Sequence, residues 1–279
     1  MLDGEKASED KNTFIITTDA EGNAITSTSP TSFTLLLTSD QHFHRDDSGT
    51  YYEEDLFHDW VSSYQSDHPA SEGETHLTLM VSLGDITDNS LPCEFQYFVA
   101  FKNKLSSLGI TTYALKGNHD IRPGTDHLAY WNTYVGQYSY QAFEYRGVSF
   151  YLLNTAPRTM GRVQMQELKE ALKQDMTRPK FFFSHVPLYG KATILYTVLS
   201  DMQERENIIS LMVQNKVMLF LSGHHHQGDL LHSFRRTTSE FILGAFHGRN
   251  SLIETIKPRW YLLHFDAENT TITITRYQV

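Results

Sequence analysis

Side chains able to bind metal follow short apolar runs at five places along the chain. Asp40 and His42 come after Phe33-Thr34-Leu35-Leu36-Leu37-Thr38, and Asp85 and Asp88 after Leu77-Thr78-Leu79-Met80-Val81-Ser82-Leu83. Asn118 and His119 follow Thr111 to Lys116, His185 follows Lys180-Phe181-Phe182-Phe183, and His224 and His226 follow Val217 to Leu221. Carboxylates, a carboxamide and imidazoles together suit first-row ions such as Mn, Fe, Zn or Co, and the set is too rich in nitrogen for calcium. In an extended segment the i, i+2 spacing of Asp40/His42 and His224/His226 points both side chains the same way, leaving Gln41 and His225 to face elsewhere. Any one of these groups alone is an ordinary turn or surface residue. Their joint recurrence is what calls for chemistry.

The elements that would position them follow an α/β rhythm. From Phe33 to about residue 226, β-rich apolar runs, polar clusters and helical stretches alternate, and strand ends of such a sheet converge on one edge. After the first run, Thr50 and Glu53 are spaced as a capping box, with Leu56, Phe57, Trp60, Val61 and Tyr64 on one helical face as core packing. His58 on that helix reads as a partly exposed surface residue. A second helix is expected from Leu91 to Leu108, with Pro92 in its first turn and Gly109 as its stop. Gly117 is expected to turn the backbone sharply off its strand. Tyr130, Trp131, Tyr134, Tyr138 and Tyr140 read as packing residues, Arg146-Gly147 as a turn between strands, and the chain beyond residue 240 as strand-rich. Residues 1–30 read as a polar tail with a peripheral hairpin, Phe14 to Thr18 and Ala24 to Ser27 flanking Glu21-Gly22-Asn23; residues 31–279 read as one domain.

Composition narrows the possibilities. A chain of 279 residues, 40% hydrophobic and 13% aromatic, can build a substantial core. Its formal charge of −10 disfavours general nucleic-acid binding and polybasic membrane attachment, so phosphate affinity must be local. The single cysteine, Cys93, excludes an intramolecular disulfide and a Cys-based zinc site. No run of eighteen apolar residues is present, so no membrane span is expected. No hydrophobic segment near Met1 reads as a signal peptide, yet the polar stretch Leu2 to Asn12 suits a tether left by removal of one. The expectation is a soluble chain, cytoplasmic or exported after signal removal.

Taken in order, Asp40-x-His42, Gly84-Asp85-x-x-Asp88, Gly117-Asn118-His119-Asp120, His185 and Gly223-His224-x-His226 resemble the five sequence blocks of the calcineurin-like metallophosphoesterase superfamily. The resemblance implies a four-layer α/β/β/α sandwich, two mixed β-sheets face to face with helices outside, and a dinuclear centre of divalent or trivalent transition-metal ions. One ion would take Asp40, His42, Asp85 and His226; the other Asp85, Asn118, His185 and His224, with Asp85 bridging. Such a centre polarises phosphoryl oxygens and activates a water as the nucleophile. His119 would be the catalytic imidazole beside the leaving group and Asp88 its orienting partner, while Asp120 is left with no clear task.

Departures from particular branches refine the expectation. Asn89-Ser90 stands where the serine/threonine protein phosphatases carry Arg-Gly, and Asp120 where they carry Glu. Asp88 stands where purple acid phosphatases have a metal-binding Tyr. The phosphodiesterase-like bacterial branch is the nearest, and implies hydrolysis of a small phosphodiester or phosphomonoester. His44, Arg45, His247, Arg249 and Asn250 are further polar groups available to a substrate. The rival reading is a binding scaffold that keeps the fold without catalysis; a nuclease is disfavoured by the acidic charge.

Overall fold

Strands that are apolar at every position need cover on both faces, and that requirement sets the layering here. The computed structural model describes residues 4–6, 13–17, 30–44, 52–190, 198–235, 238–250 and 255–278. In chain order the elements are β1 (Gly4–Lys6), β2 (Thr13–Thr17), β3 (Phe33–Thr38), α1 (Tyr52–Asp67), β4 (Leu79–Ser82), α2 (Pro92–Ser107), β5 (Thr111–Ala114), α3 (His127–Tyr130), β6 (Gln141–Tyr145) and β7 (Val148–Leu152). They continue with α4 (Gly161–Gln174), β8 (Lys180–Phe183), α5 (Met202–Gln214), β9 (Val217–Ser222), β10 (Leu230–Arg235), β11 (Thr238–Ile242), β12 (Arg249–Asn250), β13 (Thr255–Ile256), β14 (Arg259–Asp266) and β15 (Thr271–Gln278).

One sheet has seven strands in the order β1-β10-β11-β9-β8-β7-β6; the other has six, β2-β15-β14-β3-β4-β5. Both are mixed: β3, β4 and β5 run parallel, as do β7, β8, β9 and β11, with antiparallel strands flanking each set. Alternation then assigns the faces. Leu35 and Leu37 point inward with Leu79, Val81, Phe150, Phe181, Phe183, Leu219 and Leu221 to form the layer between the sheets. Leu36 and Met80 point outward onto Phe57 and Val61 of α1 and Phe98 and Phe101 of α2. On the opposite side Tyr151, Phe182 and Phe220 meet Leu168 and Leu172 of α4 and Ile208 and Met212 of α5. The result is the four-layer sandwich.

Several expectations are refined. The five strand ends lie on two sheets, since β3, β4 and β5 belong to the six-stranded sheet and β8 and β9 to the seven-stranded one. Stacking the sheets brings their C-terminal edges side by side, so convergence survives across a seam. Thr13–Thr17 pairs with β15 and buries Phe14 and Ile16, because its alternate apolar residues complete the inter-sheet core. Its expected hairpin partner, Ala24 to Ser27, lies outside the described residues, as does Thr50 of the expected capping box. His58 is buried, packed against Phe57 and Phe101 and 3.5 Å from Glu54. The aromatic face of α1 continues through it. Leu108 and Gly109, with φ of +80°, do end α2. Among the described residues no helix is long and apolar enough to cross a membrane.

Phe33 is central to the inter-sheet layer, with ring centroids 5.1 Å from Tyr145, 5.9 Å from Phe150, 6.3 Å from Phe181 and 5.4 Å from Phe265. Phe33→Ala removes these contacts and leaves a cavity where neither sheet can collapse, at an expected cost of about 3–5 kcal/mol. Urea unfolding of the variant against the parent measures it.

Candidate metal centre

The first loop leaves β3 as Ser39-Asp40-Gln41-His42 and runs beside the loop that leaves β4. Backbone hydrogen bonds continue past the strand ends: Asp40 N to Gly84 O at 3.0 Å, His42 N to Asp85 O at 2.9 Å, and Asp88 N to Phe43 O at 3.0 Å. The path is nevertheless not extended. Asp40, His42 and Asp85 have φ of 54°, 47° and 49°, and His224 has 64°, a left-handed conformation costing a non-glycine residue about 1–3 kcal/mol. The convergence of Asp40 and His42 therefore comes from two left-handed residues, which corrects the extended i, i+2 expectation. Gln41 does turn away, donating to Thr38 Oγ1 at 3.0 Å and accepting from Ser82 Oγ at 2.8 Å.

Asp120 explains how the strained loops are held. Its buried carboxylate accepts from Gly117 N at 2.8 Å, Thr87 N at 2.9 Å, Thr87 Oγ1 at 2.8 Å and Ile86 N at 3.3 Å. Burial, with the nearby Asp85 charge, pushes it up to about 6 despite these donors. It ties the loops of Asp85 and Asn118 together. Gly117 serves close approach rather than a positive φ: a Cβ there would lie 2.1 Å from Asp85 Oδ1.

The seven-stranded sheet supplies the imidazoles of the facing side. His185 Nδ1 lies 2.8 Å from Leu83 O; a carbonyl only accepts, so Nδ1 carries a hydrogen and Nε2 is the atom that offers a lone pair once the ring is neutral. That Nε2 stands 3.2 Å from Asp85 Oδ2 and 3.2 Å from Asn118 Oδ1. His224 N donates to Asp40 Oδ2 at 3.0 Å, beside Ser39 Oγ at 2.6 Å.

The donor atoms gather as Asp40/His42/His226, as Asp85/His185/His224 and as His42/Asp88/His119, within 4.8 Å in each group. Asp40 Oδ1 is fully buried without a hydrogen bond. It faces His226 Nε2 at 3.5 Å and His42 Nε2 at 3.9 Å, and those two nitrogens are only 3.1 Å apart. Donor atoms pointed at one spot require a proton or a cation between them, and this donor set fits a first-row ion. Electrostatics agree. Burial opposes ionisation of Asp40, yet His226, His185 and His42 hold it well below the usual carboxylate range. Asp85 is likewise brought down to about 2 against its burial, chiefly by His185, whose own value burial opposes and Asp85 and Asp40 push up to about 9.

His119 sits beside these groups. Its Nδ1 donates to the Asp88 carbonyl at 2.7 Å with Asp88 Oδ1 at 3.4 Å, its backbone N donates to Asp85 Oδ1 at 2.7 Å, and its ring meets His42 edge-on at 4.4 Å. Burial opposes its charged form, but Asp88 and Asp85 prevail and raise its pKa. Arg122 Nη2 lies against the same ring, 2.7 Å from Nδ1 and 2.9 Å from Nε2, and its charge opposes protonation of the imidazole. Sequence reading missed Arg122; its only signal was a position three residues after His119, one short helical turn away.

Residues 33–228 match the family model described as calcineurin-like phosphoesterase. The chain belongs to this family. Solved structures similar to this phosphoesterase include a dimetal phosphatase from Danio rerio, at 16% identity and TM-score 0.59 over 85% of this chain and 93% of that one. A purple acid phosphatase from yellow lupin matches at 12% identity and TM-score 0.64 over 88% of this chain and 54% of that one. GAP50, the anchor in the inner membrane complex of Plasmodium, matches at 12% identity and TM-score 0.57 over 85% and 82%. A comparison with curated proteins finds no match. Family and fold together make the chain a metal-dependent phosphoesterase using divalent ions.

In this phosphoesterase the centre opens into a cleft of about 290 Å³ lined by His42, His44, Asp88, His119, His226 and His247. Of the further polar residues singled out from the sequence, His44 and His247 reach it, with ring centroids 5.4 Å apart. Burial, then the charges of His42 and His44, push His247 down to about 4. Arg45 and the side chains of Arg249 and Asn250 lie outside the described residues. His225 is not among the cleft residues.

The seam behind the cleft is tight. Phe246 N bonds Ser39 O at 2.8 Å and His247 N bonds Asp40 O at 3.2 Å, and a Cβ on Gly223 would lie 1.7 Å from Ser39 Oγ. Gly223→Ala is therefore expected to destabilise the protein by about 1–3 kcal/mol and to weaken metal uptake. Adding Ser39→Gly should restore part of both, as read by urea unfolding and metal analysis of the single and double variants.

Proposed function

We propose that the chain hydrolyses a small phosphodiester or phosphomonoester at two first-row ions drawn from Mn, Fe, Zn or Co. Asp40, His42, Asp85 and His226 would hold one, and Asp85, Asn118, His185 and His224 the other. The observation that carries this is Asp85 Oδ2, 3.8 Å from His42 Nε2 and 3.2 Å from His185 Nε2, a single carboxylate facing both donor groups. Bound ions supply Lewis-acid polarisation of the phosphoryl group and activation of a water.

The remaining steps belong to the chain's own residues. His119, with Nδ1 held by Asp88, keeps Nε2 for the leaving-group oxygen and carries the proton that the alkoxide needs. Asp88 is the orienting group, through its carbonyl and its carboxylate. Arg122 adds a fixed positive charge at the same ring, favouring an anionic substrate. His44 and His247 flank the reacting group. A cleft lined by imidazoles and one carboxylate, with no apolar side chain among its lining residues, supports a small polar ester over one with a bulky apolar alcohol. The net charge of −10 weighs against nucleic acid as substrate.

Protein loaded with each ion in turn is expected to hydrolyse p-nitrophenyl phosphate or bis(p-nitrophenyl) phosphate, and Asp85→Ala to lose that activity. Undiminished turnover by Asp85→Ala would overturn the assignment. His119→Ala should cost about 10²–10⁴-fold on alkyl phosphoesters, whose alkoxides need a proton, and far less on p-nitrophenyl esters, whose phenolates leave unaided. Equal losses on both would remove His119 as the proton donor.

A further inference from the structure

Glu240 is a carboxylate that the chemistry above does not use, fully buried on β11 inside the seven-stranded sheet. Burial pushes it up to about 8, while hydrogen bonds from Leu188, Tyr189 and Ser222 favour the charged form. Oε1 accepts from Leu188 N at 2.7 Å and from Ser222 Oγ at 3.3 Å; Oε2 accepts from Tyr189 N at 3.1 Å. Leu188 and Tyr189 belong to the loop that begins with His185, and Ser222 is the last residue of β9, just before Gly223-His224. One side chain thus gathers both loops through which this sheet reaches the centre. A backbone bond from Gly223 N to His185 O at 2.9 Å ties the same two loops at their base.

Asp120 does the equivalent on the six-stranded sheet, collecting Ile86, Thr87 and Gly117 around Asp85 and Asn118. Thr155 Oγ1 anchors only the start of the His185 loop, accepting from His185 N at 3.1 Å and Val186 N at 3.0 Å. Beyond Pro187, Glu240 takes the backbone amides of Leu188 and Tyr189, and the Tyr189 hydroxyl donates to Glu206 at 2.8 Å. Both side-chain oxygens act as acceptors, Oε1 for Leu188 N and Oε2 for Tyr189 N, and an amide would turn an NH₂ group against one of those two backbone donors.

We propose that Glu240 is a positioning residue for the metal centre: without touching an ion, it sets the placement of His185 and His224. The inference rests on the two-ion reading above. The consequence is selective, because His185 and His224 serve one ion while Asp40, His42 and His226 serve the other.

Cobalt(II) titration, followed by visible absorption and calorimetry, tests this, with Asn118→Ala marking which ion belongs to His185 and His224. The parent should bind two cobalt ions per chain. Glu240→Gln should keep its far-ultraviolet circular dichroism and its affinity for the Asp40 ion, and lose at least tenfold in affinity for the other. Ser222→Ala, which removes only the longest of the three bonds, should weaken the same ion by a smaller factor. Leu172→Ala, buried under α4, should lower the melting temperature and leave both affinities alone. Both ions binding Glu240→Gln as tightly as the parent, or both weakening equally, overturns the inference alone. If Glu240→Gln does not fold, an unchanged second ion in Ser222→Ala overturns it. A parent that takes up no cobalt overturns the metal-centre reading and this inference with it.

Discussion

Two buried carboxylates, Asp40 and Asp85, sit where the edges of the two sheets meet, and their negative charge must be balanced from across the seam. Coulomb repulsion between like charges in a low-dielectric interior is severe unless positive charge stands within a few ångströms. The sheet carrying the carboxylates contributes His42 and His119; the facing sheet contributes His185, His224 and His226. The sheets approach closely at this seam, with Gly223 against Ser39 leaving no room for a Cβ.

Bringing the groups together strains the backbone, and the surrounding structure over-determines the strain. Asp40, His42, Asp85 and His224 are all left-handed. Asp120 collects amides of the Asp85 and Asn118 loops, Glu240 collects amides of the His185 loop and the Ser222 hydroxyl, and the Asp40–His42 segment is held by backbone bonds to Gly84 and Asp85. A third buried carboxylate spans the seam. Asp229, just past His226, meets Arg259 at 2.9 Å, Arg276 at 2.6 Å and the Tyr261 hydroxyl at 2.8 Å, so the His224–His226 loop is pinned to β14 and β15 of the other sheet. Beneath it the aromatic layer around Phe33 holds the sheets in register.

The overall charge and the local chemistry point in opposite directions, and the fold reconciles them. A chain of net charge −10 repels phosphates in general. Imidazoles gathered in one cleft, with Arg122 beside His119, and the divalent ions that they would hold concentrate attraction for a phosphate at that one place. The half-exposed Asp88 serves this arrangement by lying 3.3 Å from His42 Nδ1 and 3.4 Å from His119 Nδ1.

The residue types and spacing of the five blocks were enough to identify the family and the candidate ligands, because metal chemistry demands those side chains and strand ends deliver them. The continuous apolar runs were enough to indicate buried strands, since such runs have no other stable place. Other features were decided only by tertiary structure. That the strand ends come from two sheets depends on pairings between residues more than a hundred positions apart, such as β3 with β14. The inward fate of Phe14 and the burial of His58 depend on what packs above them. Local spacing suggested an extended Asp40-x-His42; in the fold both residues are left-handed, with their amides bonded to Gly84 and Asp85 of the neighbouring loop. The tasks of Asp120, Arg122 and Glu240 were not legible in the sequence, because a residue that works through backbone amides or a neighbour's ring is recognisable only once those groups have been brought to it.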